Sequence, residues 1–110
     1  MATATDLRRL ALALPSTTAA PHFDRAAFKV ARIYVTLAPD KRTANFVFTP
    51  DEQALKCMVA PDAFQPVPNA WGRQGWTTAT LARLSVPELK AALAMAFAHA
   101  QPKKKKTRKR

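Results

Sequence analysis

Two capping boxes constrain the fold of this chain more than any other sequence feature. Thr49-Pro50-Asp51-Glu52 combines a threonine N-cap with proline at the first helical position and glutamate at the third. Ser85-Val86-Pro87-Glu88 repeats the arrangement near the other end of the chain. Because each box satisfies backbone N–H groups that a helix start leaves without partners, each predicts where a helix begins.

Apolar spacing in these two helices predicts which side of each packs inward. We expect the first helix to end near Ala60, before Pro61, and to bury Leu55, Met58 and Val59. The inward residues expected of the second helix are Leu89, Leu93, Ala96 and Phe97.

The N-terminal segment predicts a third helix over residues 6–14. Leu7, Leu10, Ala11 and Leu14 form the i, i+3, i+4, i+7 stripe of an amphipathic helix. Thr5 or Asp6 is the expected cap, and Pro15 ends the helix. Residues 16–21 form an expected polar connector.

Short β-type segments occupy the rest of the chain. The expected strands are residues 28–31, 33–37, 45–48 and 77–81, with an edge strand or loop at 64–70 and a turn at 39–42. The resulting order α-β-β-β-α-β-α predicts an α+β fold, with helices packed on an antiparallel sheet. With 110 residues, we expect one domain over residues 1–101 and a disordered basic tail over 102–110.

Most of the positive charge lies in that tail. The seven basic residues there are Lys103, Lys104, Lys105, Lys106, Arg108, Lys109 and Arg110. Removing these seven from the 18 basic residues leaves 11 against seven acidic ones, so the body carries +4 of the net +11. Such a run favours binding to polyphosphate, with an affinity that falls steeply with salt. A run that only solubilises the protein, a nuclear-localisation signal and an anionic membrane surface are the alternatives.

A tryptophan-rich loop is the main candidate site in the body. Both glycines of the chain, Gly72 and Gly75, lie within six residues, flanked by Trp71, Arg73 and Trp76. An exposed indole beside a guanidinium can stack on a base while the charge meets phosphate. The alternative is that both indoles fill the core, and from the residues alone we favour it. In either case we expect at least one of the two to be buried.

A second basic group lies on two expected hairpins. Its members are Arg25, Lys29, Arg32, Lys41 and Arg42. Alternation places Lys29 on the solvent face of its strand, and basic hairpin tips can act as wings on the DNA backbone. An ordinary solvated surface is the alternative. His22, two residues before Asp24, is expected to anchor a loop rather than act as an acid or base.

Several classes of function find no support in the residues. Cys57 is the only cysteine, so no intrachain disulfide can form, and we expect it to face the core. No metal-ligand spacing and no catalytic motif occurs, and no apolar run approaches the length that spans a bilayer. We therefore expect a cytoplasmic protein that is not an enzyme, with no metal, no cofactor and no membrane partner.

Several segments resemble the MmcQ/YjbR family in order and spacing over about residues 6–100. They are Leu14-Pro15, Pro21-His22-Phe23, Ala27-Phe28-Lys29-Val30, Leu37-Ala38-Pro39-Asp40, residues 45–53 and residues 66–77. The most specific of them is Trp71-Gly72-Arg73-Gln74-Gly75-Trp76. Ser16 stands where relatives often have glycine, and the basic tail is not a family feature.

The resemblance implies a CyaY-like fold, in which a curved antiparallel sheet carries helices on one face. It also implies DNA binding, for which a double-wing contact has been proposed, and it supplies no catalytic residues. The positions it points to are His22, Lys29, Trp71, Arg73 and Trp76. We therefore expect a monomeric DNA-binding module without sequence specificity, acting on duplex DNA through its sheet, its hairpins and its tail. The alternative is a protein-interaction or small-ligand module with a pocket near the Trp71–Trp76 loop.

Overall fold

Six antiparallel strands form one open sheet in the computed structural model, which describes residues 1–101 of the chain. The strands are β1 (Thr18–His22), β2 (Arg25–Lys29), β3 (Ile33–Leu37), β4 (Thr43–Val47), β5 (Phe64–Pro66) and β6 (Trp76–Thr80). The helices are α1 (Ala4–Ala13), α2 (Pro50–Val59), α3 (Ala70–Arg73) and α4 (Val86–Ala100), with a 3-10 turn at Leu81–Arg83. The sheet order β1-β2-β3-β4-β6-β5 confirms the predicted α+β class.

One face of the sheet carries the core. Cross-strand pairing aligns Phe28, Val35 and Phe46 in one row on this face, and all three are fully buried. Helix α4 packs over the central strands and contacts α1, while α2 packs beside edge strand β5. The opposite face has no helix packed across its centre among residues 1–101, so it is the face from which a ligand can approach.

A register shift between Phe28 and Lys29 brings one more large side chain into this core. Beside the shift, both Tyr34 and Val35 are buried, although strict alternation would put them on opposite faces. The Tyr34 hydroxyl donates to the Ala11 carbonyl of α1, and its ring meets Phe97 of α4 edge-on. Burial raises the pKa of this phenol.

The helix starts predicted from the two capping boxes are confirmed. Thr49 and Ser85 each accept from the backbone N–H three residues on, and Glu52 and Glu88 each accept the reciprocal bond. α2 ends at Val59, with Ala60 as its C-cap, as expected.

The N-terminal cap and the connector were predicted wrongly. Thr3, rather than Thr5 or Asp6, is the N-cap of α1, and Asp6 closes a third capping box with it. Residues 18–21 of the expected connector, together with His22, form edge strand β1, which pairs with β2 along its whole length. Residues 19–22 of this strand, Ala-Ala-Pro-His, include no β-branched residue and give no strand signal of their own. The strand forms because its backbone pairs with β2.

The predicted buried face of α2 was also wrong. Leu55, Met58 and Val59 are 52%, 73% and 70% exposed. The inward side instead carries Glu52 and Gln53, together with the half-buried Cys57 that packs against the core. Polar contacts rather than apolar burial therefore orient this helix, which an amphipathic pattern cannot reveal.

No helix among residues 1–101 is long and apolar enough to cross a membrane. The predicted tail, residues 102–110, lies outside the described residues, which end at Gln101.

Candidate binding groove

An open groove lies on the face of the sheet opposite the helices. Its volume is about 320 Å³. Its lining residues are His22, Phe23, Arg25, Thr36, Asn45, Val67, Asn69, Trp71 and Trp76. They come from both ends of the strand order, so the groove runs across the sheet from the β1–β2 turn to the segment that joins β5 and β6.

Arg25 and Thr36 form one part of the groove floor. Arg25 Nε donates to Thr36 Oγ1 over 2.8 Å, and Nη2 donates to the Thr36 carbonyl over 3.3 Å. Both bonds use one edge of the guanidinium, so the Nη1 side and the outer Nη2 hydrogen have no hydrogen-bond partner among residues 1–101. Burial lowers the pKa of this guanidinium, and the carboxylates of Asp24 and Asp40 oppose that shift. The group stays cationic at neutral pH.

Asn45 supplies the second polar group of the floor. Thr78 Oγ1 donates to Asn45 Oδ1 over 2.8 Å, across the β4–β6 pair. Because the amide oxygen accepts this bond, the Nδ2 group of Asn45 remains available as a donor, and Asn45 lines the groove. The floor thus presents hydrogen-bond donors from β2 and β4, the two strands on either side of β3.

Aromatic side chains form the two walls. On one side, Phe23 is 92% exposed at the tip of the β1–β2 turn, with its ring centroid 4.8 Å from that of His22. On the other, Trp71 is 56% exposed and meets Trp76 edge-on at 6.1 Å. Neither indole is buried, so the prediction of at least one core tryptophan was wrong.

The glycines explain why the tryptophans reach the open face. A Cβ on Gly72 would lie 1.8 Å from the Val67 carbonyl oxygen, and one on Gly75 would lie 1.9 Å from that of Phe48. Gly75 also has φ +110°, which L-residues rarely adopt. Gln53 of α2 ties the loop down by donating to the carbonyls of Gly72 and Trp76. The two turns are therefore fixed by close backbone approach rather than by burial of the indoles.

The structure gathers only some of the predicted site residues. His22, Trp71 and Trp76 line the groove together. Lys29 is exposed at the far end of β2, about 13 Å along the strand from Arg25 at 3.3 Å per residue. Arg73 is exposed on α3 and is not among the lining residues.

The remaining predicted cations of the body lie away from the groove. Arg32 donates to the His99 carbonyl over 2.9 Å and so caps the end of α4. Lys41 and Arg42 occupy the β3–β4 turn beside the start of α1. The predicted cations of the body therefore lie at separate positions, and the carboxylates of Asp24 and Asp40 act on Arg25. The predicted tail contacts, Lys103 to Lys106, Arg108, Lys109 and Arg110, lie outside the described residues.

Six of the nine lining residues are absent from the predicted site: Phe23, Arg25, Thr36, Asn45, Val67 and Asn69. Arg25 was counted in the basic group of the hairpins but not among the site residues, and Phe23 and Asn45 were named only within segments that resemble the family. For Arg25 and Asn45 a signal existed, because alternation along β2 and β4 places both opposite the apolar residues of their strands. Phe23 gave none, since a phenylalanine is ordinarily expected to be buried, whereas this one is 92% exposed with φ +60° in the β1–β2 turn.

The groove can stack against planar rings and donate hydrogen bonds. Within residues 1–101, no three histidine, cysteine or carboxylate groups lie together as metal ligands would. Burial raises the pKa of Cys57, which lies on the helix side of the sheet, away from the groove.

Comparison with known proteins supports the fold. No family model matches the chain, and no curated protein matches its sequence. A crystal structure of Deinococcus radiodurans protein DR2400, a DUF419 domain, is similar with a TM-score of 0.75 and 21% identity. The similarity covers 88% of this chain and 77% of that one. It shows that the two chains share a fold.

Proposed function

We propose that this protein is a non-catalytic nucleic-acid-binding module that uses the open face of its sheet together with its Lys/Arg tail. The observation that carries the proposal is the groove, where exposed aromatic rings flank a guanidinium and an amide donor. Aromatic platforms with a cationic group are how many proteins hold bases without reading a long sequence.

The tail supplies the second part of the proposal. Its seven basic residues can release counterions from a polyphosphate and attract it from a distance. Since the body carries only +4, spread over separate positions, the tail provides most of the electrostatic attraction. The groove then supplies short-range contacts. This division differs from the expected basic wings on duplex DNA, because Lys41 and Arg42 lie apart from the aromatic walls.

Membership of the MmcQ/YjbR family belongs to the same proposal. The Trp-Gly-Arg-Gln-Gly-Trp segment and its neighbours support it, as does the fold shared with a DUF419 domain. We propose a monomeric state and a cytoplasmic location with it. The location is supported by the single half-buried cysteine, which suits a reducing compartment.

The groove itself favours a second candidate, a small-ligand module. Its volume of about 320 Å³ lies at the small end of the roughly 300–1,000 Å³ typical of ligand pockets. In this case a free planar anion occupies the groove and the tail does not contribute.

A salt series on two forms of the protein tests the main proposal. Fluorescence anisotropy with a labelled single strand and a labelled duplex is measured for the full chain and for residues 1–101. We expect truncation to weaken binding at low salt and to flatten the dependence of affinity on salt, because up to seven released counterions are lost. Equal affinity and equal salt dependence in the two forms would contradict the tail's role. A full chain that binds neither the single strand nor the duplex would contradict the proposed function.

A further inference from the structure

We propose that the groove holds one unpaired base with adjacent acceptor atoms on its edge, and that guanine is the base it prefers. This inference rests on the proposed nucleic-acid function and specifies what the groove would hold. It starts from the shape of the site. Two walls of exposed rings, Phe23 on one side and Trp71 on the other, suit a flat ring system that enters from solvent.

The size of the groove limits the occupant. About 320 Å³ accommodates one planar ring system and its sugar rather than a stack of paired bases. A base held inside a duplex cannot reach these walls, because its faces are covered by its neighbours in the stack. An unpaired base, in a single strand or flipped out, exposes both faces.

Hydrogen bonding selects among the bases. The groove floor offers donors: the outer edge of the Arg25 guanidinium and the Asn45 amide. Thr36 fixes the guanidinium by accepting from its other edge, so the outer fork is held in place before a ligand arrives. A fixed fork of two N–H groups matches two adjacent acceptors, and guanine presents O6 and N7 in that arrangement. Adenine has the same ring size but presents a donor amino group at the corresponding position.

The test uses short single strands in which one base is flanked by abasic positions. The base is guanine, hypoxanthine, adenine or 7-deazaguanine, and binding to the full chain is followed by anisotropy. Guanine and hypoxanthine both keep O6 and N7, whereas 7-deazaguanine lacks N7 and adenine lacks O6. We expect the first two to bind about 5–150-fold more tightly than the last two, the range given by one bidentate contact. This comparison needs no mutant.

Arg25→Lys should remove the preference while keeping the charge, because an ammonium has no planar fork. Arg83→Lys, at an exposed position outside the groove, is the matched control and should keep the preference. Equal binding of all four strands by the unmodified protein would overturn the base proposal while leaving nucleic-acid binding intact. Guanosine monophosphate that binds as tightly as the guanine strand would support the base site but assign it to a free nucleotide, against the proposed function. No binding to any strand would overturn both.

Discussion

At the scale of single residues, the backbone of the tryptophan loop depends on two glycines, Gly72 and Gly75, at positions where a Cβ would collide with a neighbouring carbonyl oxygen. Gly75 combines a positive φ with a carbonyl oxygen where a Cβ would lie, so the position accepts only glycine. The sequence indicated a special backbone at both glycines from their scarcity. It could not indicate that the neighbouring indoles remain exposed, since that depends on which strands the loop crosses.

Gly75→Ala should destabilise the fold by about 2–4 kcal/mol through strain and a backbone shift. Lys41 provides a control of opposite sign, because it is exposed with φ +65°. Lys41→Gly relieves that conformation and should lie within about 1 kcal/mol of zero, on the stabilising side. Urea denaturation of the two variants and the parent measures both values. A Gly75→Ala variant as stable as the parent would show that the turn is not constrained as described.

At the scale of elements, α2 shows where helical periodicity misleads. Its three large apolar residues share one face, which is the pattern of a core helix, yet that face is exposed. The inward side is held by polar bonds to distant segments: Glu52 to His99 of α4, and Gln53 to two carbonyls of the tryptophan loop. A capping box predicts where such a helix begins, because its bonds are local. It does not predict which side faces the sheet, because that is decided by partners 19–47 residues away.

The Glu52–His99 contact of 2.7 Å makes stability depend on pH. Burial alone would raise the pKa of Glu52, but hydrogen bonds from the Thr49 N–H and from His99 bring it below its ordinary value. A lowered carboxyl pKa stabilises the fold above the unfolded-state pKa of about 4.3, and this stabilisation is lost as pH falls through the folded-state pKa. We expect Glu52→Gln to lose less stability than the parent between about pH 5 and pH 3.

Urea denaturation at several pH values measures how steeply the free energy of unfolding falls as the pH is lowered. Glutamine can still complete the capping box, so the helix start is kept. Asp51→Asn is the matched control: it removes a carboxyl from the same turn, one that accepts no side-chain hydrogen bond from residues 1–101. A parental slope in Glu52→Gln would show that the contact does not contribute.

At the scale of the whole molecule, the fold was more predictable than the site. Strands such as β3, rich in β-branched and aromatic residues, and helices with capping boxes carry local signals, and these suffice for the α+β class. Edge strand β1 carries no such signal, because its pairing with β2 determines it. The groove combines side chains from five strands, the β1–β2 turn, the loop after β5 and α3, so no single segment encodes it.

Two contributions to binding are separable: the tail supplies long-range attraction, and the groove supplies contacts that salt does not screen. Charge contacts weaken steeply with salt, whereas stacking persists, so affinity extrapolated to 1 M salt reports the groove alone.

The most direct measurement is therefore a salt titration of single-strand binding for the full chain and for Trp71→Ala, each extrapolated to 1 M salt. We expect the two proteins to share the same slope, and Trp71→Ala to bind about 5–150-fold more weakly at the extrapolated point, the value of one stacked base. Identical affinities at every salt concentration would contradict the account, because all binding would then be electrostatic and the groove would have no part in it.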